Sequence, residues 1–107
     1  MKLTNKERAY LSGIAANYDA IIQIGKEDVS PEVVKAIDEA LEKRELIKVN
    51  VLKNCFSDLN EIADTIAGRT RATVVRVIGR KIIFYRRAKK PRIEYPKNKV
   101  KNKKWKE

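Results

Sequence analysis

The sequence predicts an α/β fold, an α+β sandwich in which helices pack against a mixed four-stranded sheet. Three observations lead there. Segments of helical period alternate with short β-branched apolar runs in the order α-β-α-β-α-β-β. Helices placed between strands imply crossover connections, which make part of the sheet parallel. The last two apolar runs are joined by only Gly79-Arg80, a connection that fits an antiparallel hairpin with glycine first in a type II′ turn. With three helices, the expected form is two layers, one face of the sheet covered.

The first helix is expected over 3–18. Thr4 followed three residues later by Glu7 is a capping-box signature, and Leu11, Ile14, Ala15 and Tyr18 share one face. A short buried strand is expected over 20–24. The second helix opens with Ser30 as N-cap, Pro31 at the first helical position and Glu32 in the first turn, where a negative charge meets the positive end of the helix dipole. Its inward stripe is Val33, Val34, Ile37, Ala40 and Leu41. In 45–52, Ile47, Val49 and Val51 alternate with Lys48 and Asn50, which describes a strand with one buried face. A third helix is expected over 57–67, capped by Ser57 and stopped by Gly68. Strands over 72–78 and 81–86 complete the sheet, with Arg76 on the face opposite Val75 and Val77 and shared with Val74 and Ile78.

Length and charge divide the chain. Its 107 residues support one domain, expected over 1–87, and a basic, disordered tail over 88–107. Of the formal net charge of +11, the tail carries nine basic residues against Glu94 and Glu107. From Thr65 to Ile93 there is no acid, while Arg69, Arg71, Arg76, Arg80, Lys81, Arg86, Arg87, Lys89, Lys90 and Arg92 are basic. Such a stretch selects a polyanion, nucleic acid rather than a membrane surface, because no basic helix with a bulky apolar face is present. No apolar run is long enough for a membrane span or a signal peptide. The single cysteine, Cys55, excludes an internal disulfide framework and fits a cytoplasmic setting.

Catalysis finds little support. The count of histidines is 0, which removes both the usual proton shuttle near neutral pH and the imidazole metal ligand. Cys55 has no histidine partner and reads as a small core residue. No enzyme, metal or cofactor is therefore expected. A binding role has better candidates. Gly25-Lys26-Glu27-Asp28 joins a strand to a helix start, where free N–H groups and the helix dipole favour a phosphate, glycine permits close approach and Lys26 adds a cation. The same four residues also suit a plain polar loop. The arginine set extends the surface, since a guanidinium grips phosphate with a planar fork and stacks on bases.

In that order and spacing, "LTNKERAYL", "IIQIGKEDVSPEVVKAIDEALEKRELIKVNVL" and "VVRVIGRKIIFYRR" resemble the CRM domain, named for chloroplast RNA splicing and ribosome maturation, in its short stand-alone YhbY-like form. The resemblance covers about 2–87. It implies a fold like the C-terminal domain of translation initiation factor three, RNA binding, and association with precursors of the large ribosomal subunit. It also implies a Gly-x-x-Gly loop comparable to the backbone grip of KH domains. Here that loop maps onto Gly25, Lys26, Glu27 and Asp28, with aspartate in place of the second glycine. Aspartate tolerates a left-handed backbone, but its charge opposes a phosphate.

The expected function is thus a monomeric, non-catalytic RNA-binding protein acting on ribosomal RNA in large-subunit assembly, with the ribosomal precursor particle as partner. Phosphate contacts are expected from Gly25, Lys26, Arg69, Arg71, Arg76, Arg80, Lys81, Arg86, Arg87, Lys89 and Lys90. The alternatives are an RNA chaperone or intron-splicing aid, a DNA-coating protein of nucleoid type, and a module that docks on acidic proteins.

Overall fold

A computed structural model of the chain describes residues 3–26, 29–55 and 57–87. The expectations for Glu27, Asp28, Lys89, Lys90 and the tail lie outside them. The elements follow the predicted order: α1 (Asn5–Ala15), β1 (Ile22–Ile24), α2 (Pro31–Arg44), β2 (Leu46–Val51), α3 (Leu59–Thr70), β3 (Thr73–Ile78) and β4 (Lys81–Tyr85). The sheet runs β1-β2-β4-β3, with β1 parallel to β2 and both other pairs antiparallel. The β3–β4 hairpin closes with Ile78 opposite Lys81 and Gly79 at φ 58°.

Local chemistry sets the helix ends. Thr4 Oγ1 accepts from the Glu7 N–H at 3.1 Å while Glu7 Oε1 accepts from the Thr4 N–H at 2.8 Å, a complete capping box. Ser30 Oγ accepts from the Val33 N–H at 3.2 Å. Three expectations are corrected. α1 stops at Ala15, and the Tyr18 N–H turns back to the Ala15 carbonyl at 2.9 Å. α3 is capped by Asp58, whose carboxylate accepts from the Glu61 N–H at 3.2 Å, rather than by Ser57. It also continues through Gly68 to Thr70. Gly68 lies on the exposed side with open space around it, so nothing forces a break there. The left-handed stop is taken by Arg71, at φ 61°.

The helices divide between the two faces of the sheet, which corrects the two-layer expectation. Ile37 and Leu41 of α2, with Ile62, Ala63 and Ile66 of α3, pack on Ile24, Ile47, Val49, Val51, Ile82 and Phe84. Leu11 and Ala15 of α1, joined by Leu3, cover Leu46, Val75, Ile83 and Tyr85 on the other face. Cys55 is 3% exposed in the larger core, where it was expected to sit. Alternation in β2 and β4 supplies both cores, because successive side chains point to opposite faces.

β3 departs from simple alternation. Its register against β4 shifts between Val74 and Arg76, so Val74 pairs with Phe84, Arg76 with Ile83, and Val75 is the extra residue. Val75 therefore turns towards α1, while Val74 and Val77 pack on the α2–α3 side. The expected grouping of Val75 with Val77, and of Val74 with Arg76, fails for this reason. The guanidinium of Arg8 in α1 donates to the carbonyls of Val74 (2.6 Å) and Val75 (3.0 Å), giving both bulge carbonyls a partner.

Candidate nucleic-acid interface

The topology sorts the predicted cations into two groups. β1 and β2 end, α2 and α3 begin, and β3 turns into β4 at one end of the sheet, here the hairpin end. Gly25, Lys26, Arg80 and Lys81 belong to it. Arg69, Arg71, Arg86 and Arg87 stand at the opposite end, where α3 stops, β3 starts and β4 finishes. Arg80 and Arg86 are six residues apart on an extended strand, roughly 20 Å. The arginines that the sequence reading adds to the loop surface therefore fall into two groups at opposite ends of the sheet.

Arg80 and Arg86 are occupied by internal contacts. Arg80 donates from Nε to the Val51 carbonyl (2.9 Å) and from Nη2 to those of Leu52 (2.8 Å) and Cys55 (3.1 Å). It thereby ties the hairpin to the loop after β2. That loop in turn abuts the first loop: a Cβ placed on Gly25 would lie 3.4 Å from Asn54 Oδ1 and from Leu52 Cδ1. Arg86 donates to Asp38 Oδ1 (2.6 Å), the Asp38 carbonyl (3.0 Å), Glu42 Oε1 (3.2 Å) and the Thr70 carbonyl (2.8 Å). It joins α2 to the end of α3 and has no fork left for a phosphate. Arg87 is half-buried, whereas Arg69 and Arg71 are exposed.

At the hairpin end Lys26, Arg76 and Lys81 are exposed. They border a part of the sheet that α1 leaves open. Gln23 pairs with Asn50, Asn50 with Lys81, and Lys81 with Ile78, so these four side chains form one row across all four strands. Lys48, Ile83 and Arg76 form the next row, where α1 begins to cover the face: Ile83 is buried beneath it and Lys48 Nζ donates to the Ala16 carbonyl at 3.4 Å. The two rows carry three cations and no acid. Sequence reasoning missed Lys48, Asn50 and Gln23 as site candidates. The alternation in β2 marks Lys48 and Asn50 as the outward side; what it could not supply was that α1 covers only the other end of that face.

Chemically, this end offers a polar, cationic strand face flanked by a glycine loop and by the N-terminal ends of α2 and α3, whose positive dipole ends are met by their own acids, Glu32 in α2 and Asp58 and Glu61 in α3. Among the described residues no group of three or more His, Cys, Asp or Glu is placed to hold a metal ion, and no helix is long and apolar enough to cross a membrane. The arrangement suits contact with a phosphate backbone.

A fold of this topology with a glycine loop and a cationic sheet face defines a class, and comparison with known proteins gives it a family. The CRS1 / YhbY (CRM) domain model matches residues 3–86, and the chain belongs to that family. It is 41% identical over 95 residues to a Bacillus subtilis protein named "Probable RNA-binding protein YqeI", covering 88% of this chain and 99% of that one. A Haemophilus influenzae protein named "RNA-binding protein" is 28% identical over 95 residues, covering 89% and 96%. The solution structure of a Staphylococcus aureus protein superposes with a TM-score of 0.77 at 47% identity, covering 89% of this chain and 100% of that one.

Proposed function

We propose that this protein is a non-catalytic, cytoplasmic RNA-binding protein that recognises folded ribosomal RNA during assembly of the large ribosomal subunit. The observation that carries the reading is the hairpin end, where Lys26, Arg76 and Lys81 stand exposed around an acid-free strand face beside a glycine loop. The names of the family's members support RNA as the polyanion. Recognition would rest on backbone and shape, through phosphate contacts made by lysine and arginine. Residues 1–87 form the recognising domain, and residues 88–107 act as a cationic tail that raises affinity for any polyanion.

The test compares the full chain with a version ending at residue 88. Each is titrated with a folded large-subunit rRNA fragment and with a DNA duplex of equal length, across several salt concentrations. Both versions are expected to prefer the rRNA, the shorter one with a smaller salt slope because fewer counterions are displaced. Loss of the preference along with the tail would refute recognition by the domain. A preference for duplex DNA would replace the reading with a DNA-coating one.

A further inference from the structure

A second site lies away from the hairpin end. Between the end of α1, the start of β1 and the last turn of α2 there is a hollow of about 570 Å³, within the range of roughly 300–1,000 Å³ usual for small-molecule sites. Tyr18 and Ile21 line one side, Lys43 and Arg44 the other, and Leu46, Ile47 and Lys48 close it. Tyr18 is 38% exposed and Ile21 40%, so two of the three large apolar side chains standing out at the described surface share this one hollow.

The hollow's walls are tied to the fold. The Tyr18 N–H is bound to the Ala15 carbonyl at 2.9 Å, and the Ile21 N–H to the Lys48 carbonyl at 3.1 Å. Three cations stand against Asp19 alone. Lys43 and Arg44 also complement the negative end of the α2 dipole, which is a sufficient structural reason for those two. Lys48 Nζ donates to the Ala16 carbonyl at 3.4 Å and so closes the end of α1, but none of these roles accounts for an aromatic ring and an isoleucine left at the surface beside the three cations. An aromatic ring beside three cations matches one ligand chemistry well, a nucleotide with its base unstacked.

We infer that this hollow takes one unpaired nucleotide, its base against Tyr18 and Ile21 and its phosphate between Arg44, Lys43 and Lys48. The inference rests on the RNA reading and sharpens it: the protein would bind where a single-stranded nucleotide emerges beside folded RNA. The hairpin end follows the backbone, and the hollow holds a base.

The experiment uses the full chain and two single-stranded RNA hexamers of equal charge, one with bases and one abasic. The wild-type protein is expected to bind the hexamer with bases about tenfold more tightly, the scale of one base–aromatic stack. Tyr18→Leu abolishes that difference, Tyr18→Phe retains it, and Arg44→Ala weakens both hexamers alike. The tail rings Tyr95 and Trp105 are present in every variant, so a difference that follows Tyr18 belongs to the hollow. Circular dichroism and a thermal midpoint establish that each variant is folded. Equal binding of the two hexamers by the wild type, or a base preference unchanged in Tyr18→Leu, overturns the inference. Titration of the folded rRNA fragment runs alongside: if that binding persists, only the hollow falls, and if it fails as well, the RNA reading falls with it.

Discussion

Arg80 and Arg86 flank the same strand and both are occupied by internal contacts, yet their charges end up differently. Arg80 donates to three backbone carbonyls, which are dipoles and leave its positive charge in place. Arg86 faces the carboxylates of Asp38 and Glu42, which cancel it. An arginine engaged with carbonyls shapes a loop and still adds to the local field, whereas one engaged with acids only joins elements. The hairpin thus keeps the charge of Arg80 even though that guanidinium is turned inward. The opposite end, richer in arginine by sequence, loses one of those charges to its own helices.

This contrast is broken most directly by removing each arginine in turn. Arg86→Ala deletes four hydrogen bonds from a side chain that is 18% exposed. Two of its partners are carboxylates about half exposed, so solvent screens much of the ionic part. The expected loss is about 2 kcal/mol, read as a lower urea midpoint, with RNA affinity of the folded protein changed less than about twofold. Arg80→Ala should destabilise by a similar amount and, in contrast, also lower the salt slope of RNA binding. If both variants change RNA binding equally, the distinction between compensated and uncompensated arginines is wrong.

A smaller change in stability with a larger change in binding is expected on the open strand face. Arg76 and Lys81 are exposed, and truncating either to alanine should move stability by no more than about 0.5 kcal/mol. Removing one phosphate-binding cation should lower the salt slope by about 0.7–0.9. The same truncations at Arg69 and Arg71 serve as controls from the far end. Should those controls lower the slope as much as Arg76→Ala and Lys81→Ala do, the hairpin end has no special role.

The two ends also differ in how far the sequence foretells them. The order of elements, the capping box at Thr4, the Ser30 cap and the tight hairpin at Gly79 were legible because each depends on residues within a few positions of one another. The bulge was not, because an extra residue in β3 is defined only by its partner strand. Arg8, which holds the two bulge carbonyls, lies more than sixty residues from them in sequence. The same blindness hid the opposite placement of α1 and the internal use of Arg80 and Arg86. A basic residue looks alike in sequence whether it faces solvent or a carbonyl. The open strand face was half legible: alternation turns Lys48 and Asn50 outward, but that α1 reaches Lys48 and stops short of Asn50 is a property of packing.

The finest test of the hairpin end concerns Gly25. Among the described residues only Glu45, Arg71 and Gly79 adopt a positive φ, so no left-handed backbone requires glycine at position 25. A Cβ there would meet Asn54 Oδ1 and Leu52 Cδ1 at 3.4 Å, an ordinary contact that the fold can accept with little adjustment. Packing thus gives only a weak reason for glycine, and the remaining reason is external: a bare backbone that lets a phosphate come close. Gly25→Ala is expected to keep its thermal midpoint within a few degrees while RNA affinity falls a few-fold, an effect smaller than that of losing two cations. Unchanged affinity in a folded Gly25→Ala variant would remove the loop from the interface and leave recognition to the strand face beside it.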